Sequence, residues 1–282
     1  MSSKNLQSKR PATAAASSRP PSEAEGLDRW TGDPSFMLSL ARGLLVLDVI
    51  AKARGRPVSV TQLANLTGLS RPTARRCLYT LDAIGYVQKA TDGGAPGPRL
   101  AALASSYLSS SPLLSGHEPV LTRLRDVTKQ TVIFGTFQDQ EPLFLANFPG
   151  DNPFNINVPI SSRIPLYSTS MGRVLLAHMA AEDLEDYLAR TSMVPRTART
   201  ITTRDRLLPA LAEVRARGYA LVDQEIELGL RSISVPVHNR AGKVVAWINI
   251  NTLAAATTVR ELRSRIAPAM TAAASELSAL LP

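Results

Sequence analysis

Residues 59–88 read SVTQLANLTGLSRPTARRCLYTLDAIGYVQ, and they predict two short helices separated by a tight turn. Ser59 and Gln62 have the spacing of a capping box, in which each side chain satisfies a backbone N–H group at the start of the first helix. Gly68 follows that helix at the position where a C-cap favours positive φ. Ser70 then caps the second helix. The stretch therefore predicts a helix-turn-helix.

The second helix separates its apolar side chains from its hydrogen-bond donors. Ala74, Cys77, Leu78 and Leu81 recur at spacings of three and four residues, so they share one face. Turning that face inward leaves donor-rich positions outside, where they can reach the phosphates and base edges of DNA. The candidate DNA contacts are Ser70, Arg71, Thr73, Arg75, Arg76, Tyr79 and Thr80, with Arg42 of the preceding helix as a phosphate contact.

Basic charge is concentrated around this motif. Residues 35–99 contain nine Lys or Arg residues and three Asp residues, which gives +6 of the net +9 carried by the whole chain. The alternative is a plain two-helix corner with a solvated arginine face, but localised basic charge favours nucleic-acid binding. Residues 91–96, TDGGAP, have turn chemistry and predict the tip of a wing between two strands.

Bulk properties exclude several classes of protein. The length of 282 residues suggests two domains. The single cysteine, Cys77, excludes an intrachain disulfide framework and is expected in a core. No apolar run approaches the roughly 20 residues of a membrane span. The Lys9-Arg10 pair is not followed by an apolar segment, so we expect no signal peptide. We therefore expect a cytoplasmic location.

Composition and periodicity divide the chain into four segments. Residues 1–34, rich in Ser, Ala and Pro, predict a disordered arm. Residues 35–98 form the helix-turn-helix domain, and its first helix is expected to bury a face containing Leu40, Leu44, Leu47 and Ile50. Residues 99–112 predict a linker helix, and residues 113–282 predict a second domain.

The second domain alternates between helical and extended patterns. Short turns between neighbouring strands imply a largely antiparallel sheet with helices packed on it, which is an α+β fold. The predicted strands are 131–137, 143–148, 154–159, 219–223, 232–237 and 244–251, and the predicted helices are 119–129, 169–179, 182–189, 204–217 and 259–281.

Two of these strands place short polar groups on one face. Because side chains alternate along a strand, Trp247, Asn249 and Asn251 share a side, as do Ser232 and Ser234 of the preceding strand. An ordinary solvated face is the alternative, but such faces are typically rich in Lys, Glu, Arg or Thr. A helix beginning near residue 169 adds free backbone N–H groups suited to a carboxylate. These features indicate a pocket for a small acid.

Several segments together resemble the IclR-type transcriptional regulators, over a stretch from about residue 35 to the C-terminus. The resemblance rests on SLARGLLVLDVIA, TQLANLTGLSRPTARRCLYTLDAIGYV, RIPLYSTSMGRVLLA, TITTRD, RGYALVDQEIELGLRSISVPV and VVAWININ, in this order. It implies a winged helix-turn-helix, a linker helix and an effector-binding and oligomerisation domain of GAF-like fold. It also implies dimers or tetramers on palindromic double-stranded DNA operators.

The phrases SFMLSLARGLLVL and RSISVPVHNRAGKVVAWINI resemble the branch that governs the β-ketoadipate pathway. That branch responds to small aromatic or dicarboxylic acids such as protocatechuate, 4-hydroxybenzoate or β-ketoadipate. Some members have serines where Asn249 and Asn251 stand here, and Tyr167 could either pack on an aromatic ligand or fill core. Taken together, the candidate effector contacts are Tyr167, Ser170, Met171, Asp223, Ser232, Ser234, Trp247, Asn249 and Asn251.

Two other functions compete with an effector-controlled regulator. An enzyme acting on a small carboxylic acid is disfavoured, because the sequence has no H-E-x-x-H, G-x-S-x-G or glycine-rich phosphate motif. The three histidines, His117, His178 and His238, are expected to lie far apart, and no metal or cofactor is expected. The other alternative is a DNA-architectural protein without an effector.

Overall fold

The computed structural model describes residues 25–30, 32–53, 55–110, 112–114, 116–138, 141–151 and 165–281. The chain divides into two compact units, residues 1–98 and 99–282. Most of the predicted arm and the strand predicted at 154–159 lie outside the described residues. Within the arm, Glu25–Trp30 form a 3₁₀ helix, and the ring of Trp30 stacks on Phe36 at 5.4 Å.

Where the structure describes the first unit, it has three α-helices and a two-stranded antiparallel wing. Its elements are α1 (Leu38–Lys52), α2 (Val60–Thr67), α3 (Arg71–Ala83), β1 (Val87–Ala90) and β2 (Gly93–Pro96). Its buried core comprises Val46, Val49, Ile50, Val58, Leu63, Ala64, Leu69, Ala74, Leu78, Leu81 and Val87. The helix-turn-helix is thereby confirmed, with both helices packed on α1.

The predicted buried face of α1 is wrong at Leu40 and Leu44, whereas Ile50 is buried and Leu47 packs against the core as predicted. Leu40 and Leu44 are 57% and 52% exposed, whereas Val46, Val49 and Ile50 are buried. Apolar residues cover most of this helix's circumference, so its periodicity alone does not select the side that packs. Contacts with α2 and α3 select the side containing Val46 and Ile50.

The wing differs from its predicted form, because its return strand begins inside the predicted turn. Strand β2 starts at Gly93, and Gly94 exchanges two backbone hydrogen bonds with Val58, at 2.9 and 3.1 Å. A Cβ atom on Gly93 would lie 2.0 Å from the Val58 carbonyl oxygen. The glycines therefore allow close backbone approach rather than only a turn.

The second unit is an α+β domain, and most of its predicted elements are confirmed with ends shifted by one or two residues. Its helices are α4 (Arg99–Ser110), α5 (His117–Thr128), α6 (Ser170–His178), α7 (Ala181–Arg190), α8 (Arg204–Arg217), α9 (Val259–Glu261) and α10 (Ala267–Leu280). A π-helical turn, Leu262–Ile266, joins α9 to α10, and short 3₁₀ turns cover Pro112–Leu114 and Leu166–Ser168.

Among the described residues of this unit, five antiparallel strands form one sheet in the order β4-β3-β7-β6-β5. The strands are β3 (Val132–Gln138), β4 (Glu141–Phe148), β5 (Ala220–Asp223), β6 (Leu230–His238) and β7 (Val244–Leu253). One face packs on α5 and α10 through an apolar core that includes Phe134, Ile248 and Met270. The opposite face, which carries Trp247 and Asn249, packs on α6.

That second face is not solvated. Ser234, Trp247 and Asn249 are fully buried. The alternative of an ordinary wet face is therefore wrong for the centre of the sheet. Short polar side chains at this depth require hydrogen-bond partners within the protein or from a ligand.

Candidate functional site

The caps of the helix-turn-helix follow the sequence pattern. Ser59 Oγ accepts a hydrogen bond from Gln62 N at 3.2 Å, and Gln62 Oε1 accepts one from Ser59 N at 2.9 Å. Gly68 ends α2 with φ of 77°, and Ser70 Oγ accepts from Thr73 N at 3.3 Å. These caps fix the turn and set the direction in which α3 leaves it.

Helix α3 presents three uncommitted guanidinium groups to solvent. Arg71, Arg75 and Arg76 are exposed, and none forms a salt bridge within the described part of the chain. Tyr79 is 75% exposed beside them, although an aromatic ring of this size would normally be partly buried. The face therefore has the charge and reach for phosphates and base edges.

The hydroxyl candidates on α3 are already engaged within the helix. Ser70 Oγ and Thr73 Oγ1 lie 2.9 Å apart, and Thr80 Oγ1 donates to the Arg76 carbonyl at 3.0 Å. Their capacity for further hydrogen bonds is smaller than that of the arginines. Arg42 on α1 is half-buried, and its charge acts on Cys77 of α3. Burial raises the pKa of the Cys77 thiol, and the charges of Arg42 and Arg76 oppose that rise.

In the second unit four of the five predicted serine and asparagine residues meet in one cluster, which we call the serine–asparagine cluster: Ser170, Ser232, Ser234 and Asn249. Ser232 pairs with Asn251 and Ser234 with Asn249 across β6 and β7. Asn249 Nδ2 lies 2.9 Å from the Oγ atoms of all three serines. Ser170 Oγ also hydrogen-bonds to Ser232 and Ser234. Alternation along the strands correctly placed Ser232, Ser234 and Asn249 on one face. Asn251, predicted with them, is half-buried and makes no hydrogen bond to the cluster within the described residues.

Helix α6 brings its N-terminus to the cluster, because Ser170 is its first residue. Thr169 Oγ1 caps the helix by accepting from Gly172 N at 3.1 Å. Gly172 has no space for a side chain, since a Cβ atom would lie 2.3 Å from the Leu166 carbonyl oxygen. The first backbone N–H groups of α6 therefore lie beside polar side chains, an arrangement that suits an anion.

An aromatic and apolar group borders the serine–asparagine cluster. Trp247, Ile133 and Met171 pack together, with Phe137 and Phe144 against them. Trp247 Nε1 donates to the Thr136 carbonyl at 2.9 Å, so the indole N–H is not free for a ligand. Trp247 and Met171 can therefore supply only an apolar wall.

Two predicted effector residues lie apart from the cluster. Tyr167 is buried in the core between α6 and α8, and its hydroxyl donates to the Val194 carbonyl at 2.7 Å, which favours the core-filling alternative. Asp223 binds Arg231 Nε at 2.6 Å and also pairs with Arg199. Partial burial raises the pKa of Asp223, but hydrogen bonds from Arg231 and Gln224 and the two arginine charges outweigh it and lower the pKa.

Two arrangements were missed by the sequence analysis. Arg173 and Glu225 form a buried ion pair at 2.6 Å, and Arg173 Nε also donates to the Tyr167 carbonyl. The expectation that the histidines are far apart is wrong for two of them. The rings of His178 and His238 pack edge to face with centroids 5.6 Å apart. Helical and strand periodicities relate residues within one element, so they do not predict contacts between segments that are distant in the sequence.

The residues that the structure describes contain neither a candidate metal site nor a candidate membrane-spanning helix. No group of three or more His, Cys, Asp or Glu side chains could hold a metal ion there. In the same residues, every helix is too short or too polar to span a membrane.

Comparisons with known proteins agree with this architecture. The family model described as "IclR helix-turn-helix domain" matches residues 39–90, and the one described as "Bacterial transcriptional regulator IclR C-terminal" matches residues 105–279. The Pca regulon regulatory protein of Pseudomonas putida is 37% identical over 97% of this chain and 94% of its own length.

Two further proteins are similar over most of their length. The p-hydroxybenzoate hydroxylase transcriptional activator of Acinetobacter baylyi is 30% identical over 87% of this chain and 92% of its own. A crystal structure from Rhodococcus sp. RHA1 is 36% identical and covers 87% of this chain and 98% of that one, with a TM-score of 0.73. With a matching helix-turn-helix, a matching C-terminal domain and relatives at this identity, the chain belongs to the IclR family of bacterial transcriptional regulators.

Proposed function

We propose that this regulator binds a palindromic operator as a homodimer or homotetramer and senses a small aromatic or dicarboxylic acid to control catabolic genes. Helix α3 enters the major groove, and the acid binds at the start of α6, beside the serine–asparagine cluster. The proposal rests on the presence of two features in one chain. The first unit has an arginine face on α3 that makes no salt bridge among the described residues, and the second unit has a buried polar cluster at the N-terminus of α6.

The DNA-binding half rests on charge and exposure. Arg71, Arg75 and Arg76 are exposed and unpaired with carboxylates within the described residues. A helix that inserts into the major groove needs long donors near its start, and arginine reads guanine in bidentate fashion. Tyr79 offers an exposed ring for contact with a thymine methyl group or a sugar.

The acid-sensing half rests on the buried cluster. Backbone N–H groups at the start of α6 favour a carboxylate. Ser170, Ser232 and Asn249 supply further hydrogen-bonding groups, and Trp247 borders them with an apolar wall. Similar proteins are named for the pca regulon and for p-hydroxybenzoate hydroxylase, which supports an acid from aromatic catabolism. Both proteins are named as regulators, which fits the expectation that this chain is not an enzyme.

Substitution of one recognition arginine tests the DNA-binding half. Arg76→Ala should weaken binding to DNA from the regulator's own promoter region by about 1–3 kcal/mol if Arg76 reads a base in bidentate fashion. Gel-shift titrations at several salt concentrations measure this, and wild-type affinity should fall steeply as salt rises because phosphate contacts release counterions.

The matched control is Arg206→Ala, which removes the same charge from an exposed position on α8. It should leave operator affinity close to that of the wild type. Equal affinity of the Arg76→Ala variant and the wild type would remove Arg76 from the interface. No retarded complex with the wild type at low salt would contradict the proposed DNA binding as a whole.

A further inference from the structure

A cavity of about 720 Å³ lies at one end of the sheet in the second unit. Its walls come from the end of β3, the start of β7, the turn between β6 and β7, and the C-terminal half of α4. Pockets that bind small molecules typically measure about 300–1,000 Å³ and have mostly apolar walls with a few polar groups. The cavity therefore has the size of a ligand site.

This cavity is separate from the proposed acid site. Val245 lines the cavity, whereas Asn249 of the serine–asparagine cluster lies four residues further along β7, about 13 Å away at the rise of an extended strand. On α6 the cavity is lined by Leu175, and Ser170 lies more than one helical turn before it. Neither Ser170 nor Asn249 lines the cavity, so two small molecules can bind at the two places without overlapping.

Most of the cavity wall is apolar. Its apolar residues come from four elements and from the end of the chain: Leu113, Phe137, Leu175, Val245 and Leu281. An apolar group that packs on such a wall is removed from water together with the wall, which favours its binding. The cavity therefore suits a ligand with an apolar body.

The polar groups that remain free in the cavity are hydrogen-bond donors. Thr136 is committed, because its Oγ1 donates to the Val245 carbonyl at 2.7 Å and its carbonyl accepts from Trp247. Asn239 Oδ1 accepts from the backbone N–H of Lys243 at 3.0 Å, which leaves the NH₂ group of Asn239. The Lys243 ammonium group forms no ion pair with a described residue, and no Asp or Glu lines the described walls. An anionic group would find donors here and no opposing carboxylate.

Helix α4 forms one side of the cavity and connects the two units of the chain. It begins at Arg99, directly after the first unit ends at residue 98, and it lines the cavity through Tyr107 and Ser110. Tyr107 is 48% exposed, so its ring is available to pack on a ligand. A molecule in the cavity would therefore contact both the sheet and the connecting helix.

We propose that this cavity is a second ligand site, for an amphipathic anion that places its apolar body between α4 and the sheet and its carboxylate or sulfonate on Lys243 and Asn239. Fatty acids and polycyclic aromatic acids belong to this class. The site does not depend on the acid site at the start of α6, because the two share no residue that this proposal uses.

A matched pair of fluorescent probes tests the site in the full-length protein. Anilinonaphthalene sulfonate and phenylnaphthylamine share one ring system, and only the first carries an anionic group. Fluorescence titrations give the ratio of their affinities for the wild type and for Lys243→Gln. The preference for the sulfonate should fall by about three- to tenfold in the variant, the effect of one partly solvated ion pair. Arg240→Gln removes the same charge from an exposed position in the same turn that does not line the cavity, and it should keep the wild-type ratio.

Two further measurements locate the bound probe. Leu113→Trp fills part of the cavity with a larger side chain, so it should weaken binding of the sulfonate probe by at least about fivefold. Hydrogen exchange of the α4 amides around Tyr107 should become slower when the probe is bound. Thermal unfolding establishes that each variant is folded. If Leu113→Trp does not fold, the two exposed substitutions and the exchange experiment decide.

Three outcomes would overturn the proposal. An affinity ratio that is the same in Lys243→Gln and the wild type would remove the pairing with an anion. Probe binding that survives Leu113→Trp and is abolished by excess 4-hydroxybenzoate would place the probe at the start of α6 instead. A wild-type protein that binds neither probe would exclude a ligand of this class, and a changed oligomeric state of Leu113→Trp in sedimentation experiments would then assign the cavity to contact between copies of the chain.

Discussion

Single residues determine whether the buried polar face of the sheet can form. Gly135 lies opposite Trp247 on the neighbouring strand, and a Cβ atom there would lie 2.2 Å from the indole ring and 2.4 Å from the Leu143 carbonyl oxygen. The absence of a side chain on β3 thus creates the space that the indole fills. The position of the indole in turn sets the apolar wall beside Asn249.

Gly135→Ala should therefore destabilise the second unit by about 1–3 kcal/mol, the typical cost of overpacking a filled core. Denaturant unfolding followed by tryptophan fluorescence measures the loss, since Trp247 is one of only two tryptophans. Gly43→Ala in α1 is the control, because a Cβ atom there meets nothing within 4 Å. That variant should be neutral or slightly more stable. Equal stability of the two variants would show that the indole can shift without cost.

The sequence predicted some site residues well and others poorly, for a physical reason. Alternation along a strand places Ser232, Ser234 and Asn249 on one face whatever the rest of the chain does. The surroundings of Tyr167 and Asp223 depend on Val194 and Arg199, which lie in an irregular loop. No local period links these positions, so only the folded chain shows that both side chains are already engaged.

At the scale of elements, strands and caps were predicted better than helix faces. The capping residues correctly predicted where α2 and α3 begin, and Gly68 correctly predicted where α2 ends. For α8, the predicted first and last residues are those of the structure. The face predicted for α1 was wrong at Leu40 and Leu44 because the apolar arc of this helix is too wide for periodicity alone to choose its buried side. The contact between the end of α6 and the end of β6 was missed because it joins segments 60 residues apart, His178 and His238.

That contact between elements should make stability depend on pH. Burial, and then the charge of His178, lower the pKa of His238 below its usual 6.5. The unfolded chain therefore binds a proton more readily, and the folded state loses stability as the pH falls below 6.5. His238→Phe should make this loss smaller in urea unfolding experiments between pH 7.5 and 5 (roughly the range in which histidine titrates).

His178→Phe removes only the charge that His178 exerts on His238 and leaves His238 itself in place. Its effect on the pH dependence of stability should therefore be smaller than that of His238→Phe. The readout is the difference between variant and wild type at each pH, since carboxylates shared by all three proteins cancel. Parallel curves for His238→Phe and wild type across this range would show that His238 does not contribute.

At the scale of the whole molecule, the proposed function requires that two binding events be coupled. An acid can alter operator binding only if it has unequal affinity for two states of the protein that also differ in affinity for DNA. The buried ion pair of Arg173 and Glu225 ties α6 to the loop after β5. A ligand bound at the proposed site at the start of α6 would therefore act on an element that this ion pair connects to the rest of its unit.

Thermodynamic linkage gives this coupling a quantitative test. If an acid changes operator affinity by a given factor, saturating operator DNA must change the affinity for the acid by the same factor. Fluorescence anisotropy with labelled operator gives the first factor, and titration calorimetry with and without unlabelled operator gives the second. Coupling free energies are typically about 1–3 kcal/mol, so each factor should lie between roughly 5 and 150. Asn249→Leu should reduce both factors together, whereas Arg76→Ala should lower operator affinity and leave acid binding to the free protein intact. An acid that binds tightly while operator affinity stays constant would identify a DNA-binding protein that is not controlled through this site.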